Sequence, residues 1–365
     1  MYDQIREDTL FIIIYSVVTA MAMIASCYLL FRRANAIAPD VTSSVRLRRW
    51  TGVFFASIAL SHIWYMPVFF LTSAADVKMT DLVGGLLDCM TFFPLAIIVL
   101  LVMLQDRRRP LWPVAAMMAP IVVGGVSGVV ACSYALLPVI YVYFLLMCIG
   151  LILYMVREVR QYGHWLRDNY ADLEHKEVWQ SFVVLAIMLL VFTIYGFIYE
   201  GTAYLYAMQV IHAVLICYLL WRVETLSDLS MPVSDAEEEM QAPPHDSSLT
   251  FRNDIGPLLK KHCEESQLYL QHDLTILQLA KAIGINRSYL SNHFALQGVT
   301  YNTYINSLRI QHFINLYHES AETHQPVTAQ ELAYQSGFRN YNTFSAAFKR
   351  NTVMNATEWM LLVKS

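Results

Sequence analysis

The sequence predicts an all-α fold in two parts, a polytopic seven-helix membrane bundle followed by a smaller soluble helical domain. Three observations predict it: long apolar runs in residues 1–221, many acids in residues 222–250, and apolar residues at helical spacing in residues 251–365. The chain is 56% hydrophobic and 15% charged, whereas an ordinary soluble domain is about 25% charged. We therefore divide the chain into a membrane domain (1–221), a flexible linker (222–250) and a soluble domain (251–365).

The apolar runs are long enough to cross a bilayer, which takes about 20 apolar residues per helix. They cover Leu10–Phe31, Thr51–Thr72, Leu82–Leu104, Leu111–Val156, Val178–Tyr199 and Gly201–Trp221. The fourth run is about twice the required length and has Ser133, Tyr134 and Pro138 near its middle. We divide it into two spans, which makes seven in all.

Basic residues between the predicted spans favour one side of the membrane. Only Arg6 and Lys78 lie on the other side. The favoured loops carry Arg32, Arg33, Arg46, Arg48, Arg49, Arg107, Arg108, Arg109, Arg157, Arg160, Arg167 and Lys176. Because cytoplasmic loops are enriched in Lys and Arg, we expect the N-terminus outside and the C-terminus in the cytoplasm. The location that this orientation predicts is a bacterial inner (cytoplasmic) membrane.

Ionisable side chains inside the predicted spans are candidates for sensing a signal, because burying them in lipid is costly. Asp88 is the first candidate, and His62, His212 and Glu200 follow. The alternative is that Glu200 lies at the membrane interface and both histidines are neutral, hydrogen-bonded between helices. The six cysteines lack the spacing of metal ligands, so we expect no metal site, no disulfide framework and no cofactor.

Two connecting segments differ in composition. Residues 222–250 hold seven acids against one base, together with three prolines, which predicts an extended, solvated tether. The loop Arg157–Trp179, between the fifth and sixth spans, places Trp165, Tyr170 and Leu173 among charges. This loop is either an ordinary interfacial helix or an element that contacts the soluble domain.

Residues 274–296 predict two helices joined by a tight turn. Gly284 supplies the left-handed residue that ends the first helix. The apolar positions are Ile276, Leu279, Ala280 and Ile283 in the first helix, Ile285 in the turn, and Leu290 and Phe294 in the second helix. This spacing is typical of a helix-turn-helix unit, in which a small residue lets two helices cross closely.

The same pattern then occurs a second time. Its members are Leu332, Ala333, Gly337, Phe338, Phe344 and Phe348. Between the copies, Tyr301–Tyr317 predicts a linker helix of roughly 25 Å at about 1.5 Å per residue. Recognition helices that enter successive major grooves lie about 34 Å apart, so this helix is a plausible spacer for two of them.

Over roughly Asp273–Met360 the chain resembles the AraC-type (arabinose-regulator) family of transcription factors. The resemblance lies in three places. The first helix-turn-helix motif contributes Leu279-Ala280, Gly284-Ile285, Ser288-Tyr289-Leu290-Ser291 and Phe294, and the linker helix contributes Leu308-Arg309. The second motif contributes Ala333–Phe338, Phe344-Ser345 and Phe348-Lys349-Arg350. Two such motifs at this spacing make the signature specific. The resemblance implies double-stranded DNA as a partner.

The resemblance also implies which residues contact DNA. Those that face base edges are Ser288, Ser291, Asn292, Tyr341, Asn342, Thr343, Ser345 and Ala346. Asn pairs bidentately with adenine, and Ser accepts almost any base. Arg287, Lys349 and Arg350 are expected to contact phosphates, which fix the register without reading sequence. Arg309 either contacts DNA or braces the two helix-turn-helix motifs against each other.

From Phe251 onward the chain carries ten Lys and Arg against eight Asp and Glu, a net charge of +2. Phosphate neutralisation supplies most non-specific affinity, so one domain is expected to bind DNA weakly. A homodimer, or confinement at the lipid bilayer, would compensate by raising the effective concentration. The family often has Arg where Asn292 and Ala346 stand here, which leaves open a domain that no longer binds DNA.

Together these features predict a membrane-anchored transcriptional regulator that couples a membrane or extracellular signal to promoter occupancy. The signal would be an unknown small molecule or membrane protein. We expect no enzyme activity, because the sequence has no phosphate-cradling glycine loop, no kinase motif and no nucleophile–base set. The alternative is a transporter or membrane receptor whose helix-turn-helix tail is regulatory or a protein-interaction module.

Overall fold

The computed structural model is all-helical over the residues that it describes, 8–131, 135–198, 202–229, 255–323 and 327–364. Within these ranges the single strand-like pairing is an isolated antiparallel bridge between Tyr170 and Thr275. The chain divides into two compact units, Met1–Tyr162 with Glu177–Ser230 and Gly163–Lys176 with Met231–Ser365. The predicted all-α class is confirmed, and a short segment from the apolar half belongs to the second unit.

The first unit contains eight helices among its described residues. They are α1 (Thr9–Phe31), α2 (Val45–Tyr65), α3 (Ala74–Met90), α4 (Phe92–Met103), α5 (Trp112–Val130), α6 (Leu137–Asn169), α7 (Trp179–Ile198) and α8 (Thr202–Thr225). A 3-10 turn, Met66–Phe69, extends α2. Helix α6 reaches beyond this unit, because its residues from Gly163 onward belong to the second.

Six described stretches are long and apolar enough to cross a membrane. They are Thr9–Phe31, Val45–Phe69, Ala74–Met103, Trp112–Val130, Pro138–Asn169 and Ala203–Thr225. The remaining predicted span corresponds to α7, whose side chains are described only as far as Met188. Helix α1 packs on α2 and α8, α2 packs on α4, and α3 packs on α5. Large apolar side chains also face outward: Ile24, Val139 and Leu153 are 70%, 66% and 67% exposed.

The third predicted span is not one continuous helix. Helix α3 begins at Ala74, before the expected start at Leu82, and the helical path is interrupted at Thr91 (φ −124°, ψ −66°). Pro94 explains the break, because a proline cannot donate to the carbonyl four residues before it and its ring clashes there. It is accommodated instead in the first turn of the new helix α4.

The start of the predicted linker is ordered and packed. Helix α8 continues to Thr225, and the backbone amide of Asp228 donates to the Thr42 carbonyl at 2.7 Å. Glu224 is fully buried and accepts hydrogen bonds from the amides of Ala36 and Ile37, at 3.0 and 2.7 Å. The composition of this segment predicted that Glu224 would be solvated, since composition does not reveal which backbone amides an acid will meet. The rest of the linker, 230–250, lies outside the described residues.

The second unit consists of short helices around a long central one. They are α9 (Ile255–Leu259), α10 (Ile276–Ile283), α11 (Arg287–Leu296), α12 (Tyr301–Glu322), α13 (Ala329–Gln335), α14 (Tyr341–Thr352) and α15 (Ala356–Lys364). Ile305 of α12 lies in one apolar core, with Leu290 and Phe294. Phe313 of the same helix lies in the other core, with Phe344. Each helix-turn-helix motif therefore has its own core, and α12 joins the two.

Candidate nucleic-acid interface

The first motif is built by side chains that cap its helices. Thr275 accepts a hydrogen bond from the Gln278 amide at 3.2 Å, and the Gln278 side chain accepts from the Thr275 amide at 2.9 Å, so the two form a capping box at the start of α10. Gly284 ends α10 with φ +74°. Asn286 then caps α11 by accepting from the Ser288 amide at 2.7 Å. These caps fix where α10 and α11, the two helices of this motif, begin and end.

The second motif repeats this construction. Thr328 caps α13, Gly337 makes the turn with φ +87°, and Asn340 caps α14 by accepting from the Thr343 amide at 2.8 Å. A Cβ atom on Gly337 would lie 2.7 Å from the Leu270 carbonyl oxygen. Glycine is therefore needed here for close approach as well as for its backbone angle.

The residues predicted to read bases lie on the faces of α11 and α14 that are turned away from the two cores. Ser288, Asn292, Asn342 and Ala346 are exposed, and Ser291, Thr343 and Ser345 are half-buried. Lys349 and Arg350 are exposed at the end of α14. Tyr341 differs from the others, since its ring packs on Phe344 with the centroids 5.6 Å apart. Much of that side chain therefore belongs to the second core.

Arg287 makes a contact that its predicted phosphate role did not anticipate. It is the first residue of α11, and its Nε donates to Asn169 Oδ1 at 3.1 Å. Nη2 of the same guanidinium donates to the same oxygen. Asn169 is the last residue of α6, so the start of the first recognition helix is hydrogen-bonded to the end of that helix.

Arg309 occupies the bracing position, one of the two roles expected for it. The side chain is fully buried in α12, and its Nε donates to the Tyr269 carbonyl at 2.7 Å. Nη1 donates to Asp172 Oδ1 at 2.9 Å, and the guanidinium carbon lies 5.5 Å from the Phe338 ring centroid. One side chain thus contacts the second motif, the segment before the first motif and the loop that follows α6.

That loop is docked onto the domain. We call Asn169–Lys176 the docked segment. The amide of Ala171 donates to the Leu274 carbonyl at 3.1 Å, and Asn302 Nδ2 donates to the Ala171 carbonyl at 2.6 Å. Ala171 is fully buried in the first core. Of the two interpretations of this loop, the structure has the element that contacts the soluble domain.

Asp273 extends the contact to the second motif. Its carboxylate lies 2.9 Å from Lys176 of the docked segment and 2.9 Å from Arg339, which follows the turn of the second motif. Burial acts to raise the pKa of this carboxyl, but the charges and hydrogen bonds of Lys176 and Arg339 outweigh it and hold the pKa below its usual range. The ionised form is therefore favoured, and it links the docked segment to both motifs.

None of the docked-segment residues is among the predicted site residues, although one of the two interpretations of their loop was a contact with the soluble domain. Asp172 and Arg309 are 137 positions apart in sequence. A single sequence carries no signal that pairs residues so distant. The one available hint was a loop that mixed aromatic with charged residues, and this pattern is more often that of an interfacial helix.

Three of the four predicted sensing residues come together in the first unit. His62 and His212 have ring centroids 5.4 Å apart, and His62 Nε2 lies 3.0 Å from Gln209 Oε1. The Tyr15 hydroxyl donates a hydrogen bond to the His62 carbonyl. Sequence reasoning missed Gln209, although it stands three residues before His212, on one face of α8.

Asp88 lies beside this group, surrounded by Ser61, Trp64 and Tyr65 and near His62. Among the described residues, Asp88 Oδ1 and His212 Nδ1 are buried atoms that have no hydrogen-bond partner. Glu200 lies outside the described residues. No group of three His, Cys, Asp or Glu side chains in the described ranges is arranged to hold a metal ion.

Comparison with known proteins finds a similarity within the second unit. Residues 279–361 match the family model described as "Helix-turn-helix domain". A 92-residue stretch is 30% identical to an "Uncharacterized HTH-type transcriptional regulator" of Staphylococcus aureus (strain MRSA252), and it covers 25% of this chain but only 12% of that relative. No solved structure gives a significant match. The matched residues include the recognition helices of both motifs and the whole of α12, so the C-terminal part of the chain carries an AraC-type helix-turn-helix domain.

Proposed function

We propose that this chain is a membrane-anchored, sequence-specific transcriptional regulator, which couples a membrane or extracellular signal to promoter occupancy. The observation that carries the proposal is the presence, in one chain, of an AraC-type helix-turn-helix domain and, among the described residues, six helical stretches apolar enough to cross a membrane. The partners are double-stranded DNA, the lipid bilayer and a second copy of the chain. The signal is a small molecule or membrane protein that acts on the apolar half.

Anchoring in a membrane is supported by the outer surface of the first unit. Monomeric soluble proteins rarely expose apolar patches larger than a few hundred Å². Helices α1 and α6 nevertheless present side chains such as Ile24, Val139 and Leu153 outward. Lipid would cover these faces without loss of hydrogen bonds, because a helix satisfies its own backbone.

The number of spans has independent support from the segments of the chain that make up the second unit. Gly163–Lys176 belongs to the same unit as residues 231–365, so both lie on one side of the membrane. Helices α7 and α8 separate them along the chain, and α8 is long and apolar enough to span. The chain regains the same side only if α7 crosses as well. Together with the arginine-rich loops, this favours seven spans and a cytoplasmic DNA-binding domain.

DNA recognition is supported by the faces that α11 and α14 leave exposed. Asn292 and Asn342 project from the two recognition helices, and an Asn side chain can make two hydrogen bonds to adenine. Lys349 and Arg350 are exposed beside them, in a position to meet phosphates. The two helices would read adjacent segments of one DNA face.

The test is genome-wide mapping of DNA bound by the full-length protein in its own membrane. We expect discrete promoter peaks that an Asn292→Ala/Asn342→Ala double variant loses, because both base-reading amides are gone. Asn315→Ala is the matched control, since this exposed Asn on α12 bonds to Gln311 and lies outside both recognition helices. Absence of peaks from correctly inserted wild-type protein, or peaks that survive the double substitution, would contradict the proposal. The second result would favour a protein-interaction module.

A further inference from the structure

We propose that the docked segment is the input of the DNA-binding domain, through which α6 sets the relative position of the two recognition helices. The inference rests on the proposed function and adds to it the route of the signal. Its partner surface is the junction of the two motifs, formed by the start of the first motif, the middle of α12 and the turn of the second motif.

The domain is incomplete without this segment. Arg309 and Asp172 have side chains only 0% and 3% exposed, and they lie 2.9 Å apart. A buried guanidinium is costly unless a carboxylate and further hydrogen bonds compensate it. Two of the acceptors of Arg309 are carbonyls, and the carboxylate comes from the docked segment. Removing the segment would also leave the site of Ala171 in the first core empty.

The contacts of the segment converge where the two motifs meet. Asp172 Oδ2 accepts from the Asp273 amide at 2.8 Å, immediately before the first motif. Lys176 reaches Arg339 of the second motif through the shared carboxylate of Asp273. Two recognition helices that enter successive major grooves must lie about 34 Å apart. A small displacement at this junction would move one recognition helix out of register with the other.

The segment is also directly continuous with an apolar helix. Helix α6 runs unbroken from Leu137 to Asn169, and the docked segment starts at its last residue. The same Asn169 holds Arg287 at the start of α11. A rotation of α6 about its axis, or a translation along it, would therefore first displace the junction of the motifs and Arg287, which is expected to bind phosphate.

The first experiment asks whether the segment is docked in the intact protein. Tyr170 and Thr275 form an antiparallel bridge, which places Cα atoms about 4.5–5.5 Å apart, within the range of a disulfide. The full-length Tyr170→Cys/Thr275→Cys variant, oxidised in native membranes and digested, should give a disulfide-linked peptide by mass spectrometry. The two single variants control for native cysteines such as Cys263. Absence of the linked peptide would overturn the inference.

The second experiment measures promoter occupancy of full-length Asp172→Asn. This change preserves shape but removes the charge that compensates Arg309, so we expect occupancy to fall about tenfold or more at an unchanged membrane level. Glu177→Gln makes the same chemical change five residues away, at an exposed carboxylate outside the docked segment that accepts a hydrogen bond from Trp179 Nε1, and should leave occupancy unchanged. Wild-type occupancy in Asp172→Asn would overturn the inference.

A milder variant covers the case in which Asp172→Asn fails to fold. Lys176→Gln leaves the Asp172–Arg309 pair in place and removes one charge partner of Asp273. We expect a smaller loss of occupancy at unchanged protease resistance, and wild-type occupancy would count against the inference. If wild-type protein itself gave no promoter peaks, the proposed function would fail as well. Peaks that all docked-segment variants retain would leave that function standing and remove only the coupling route.

Discussion

Two glycines at equivalent turns of the two motifs carry different constraints. Both have positive φ, +74° at Gly284 and +87° at Gly337. A Cβ atom on Gly284 would meet no atom within 4 Å, whereas on Gly337 it would lie 2.7 Å from the Leu270 carbonyl oxygen and 2.8 Å from its Cα. These neighbours are backbone atoms, so they cannot turn aside as a flexible side chain would.

We predict that Gly337→Ala destabilises the second motif clearly more than Gly284→Ala destabilises the first. The Gly284 variant should cost about 1–2 kcal/mol from left-handed strain alone, and the Gly337 variant should exceed this because the backbone of Leu270 must also move. Hydrogen exchange in the full-length protein, followed for peptides from α10 and α13, would measure each motif separately. Equal effects in the two motifs would show that the close approach to Leu270 is relaxed in solution.

The residue pattern could predict which side chains form the two cores, but not these local constraints. Leu290, Phe294, Phe344 and Phe348 were identified from spacing alone, because helical periodicity is a local property. The contact of Gly337 with Leu270 joins positions 67 apart, and it depends on how the chain folds back. The same limit applies to Arg287, whose charge predicted a phosphate contact while its partner Asn169 stayed hidden.

At the scale of elements, α6 is the feature that joins the two units covalently without a break. Its residues up to Tyr162 belong to the first unit, and those from Gly163 belong to the second. A helix transmits rotation because each residue is hydrogen-bonded to the next turn. The linker 230–250, in contrast, was predicted from its acids and prolines to be a solvated tether, which would transmit little.

An insertion separates these two routes. One alanine added between Tyr162 and Gly163 turns everything after it by about 100° around the helix axis, so we predict a changed promoter occupancy at a normal membrane level. One alanine added between Ser247 and Ser248, within the predicted tether, should change nothing. Occupancy would be mapped for both full-length variants. Sensitivity to the second insertion and tolerance of the first would assign the signal to the linker.

The number and length of the elements could largely be predicted, and their interruptions in part. The apolar runs indicated the long apolar helices, because such runs follow the length that a bilayer crossing requires. The break at Thr91 was missed although Pro94 stands in the sequence, since a proline in a membrane helix is often tolerated. The packed residues up to Leu229 were missed because the acid Glu224 finds its partners, Ala36 and Ile37, 188 and 187 positions earlier in the chain.

At the scale of the whole molecule, the DNA-binding part has few charges with which to hold DNA. Its ten basic and eight acidic residues leave +2, and Arg287 is already hydrogen-bonded within the unit. Affinity should therefore depend on bringing two domains together. Two copies in one patch of membrane would raise their mutual effective concentration to the millimolar range.

We predict that full-length protein in nanodiscs with two copies binds a duplex carrying two sites about 100-fold more tightly than nanodiscs with one copy. A duplex with one site should show little difference between the two preparations. Fluorescence anisotropy at fixed salt would measure both, because phosphate contacts make any affinity salt-dependent. Equal affinities on the two-site duplex would remove the role assigned to a second copy.

The hydrogen bond between Asn169 and Arg287 has a consequence that runs opposite to the expected flow of information. If a phosphate competes with Asn169 for this guanidinium, operator DNA is itself an effector of the apolar half. Binding free energies are reciprocal, so any factor by which a signal alters affinity for DNA is the factor by which DNA alters affinity for the signal. A chain bound to its promoter would then have a different affinity for the signal from a chain that is free of DNA.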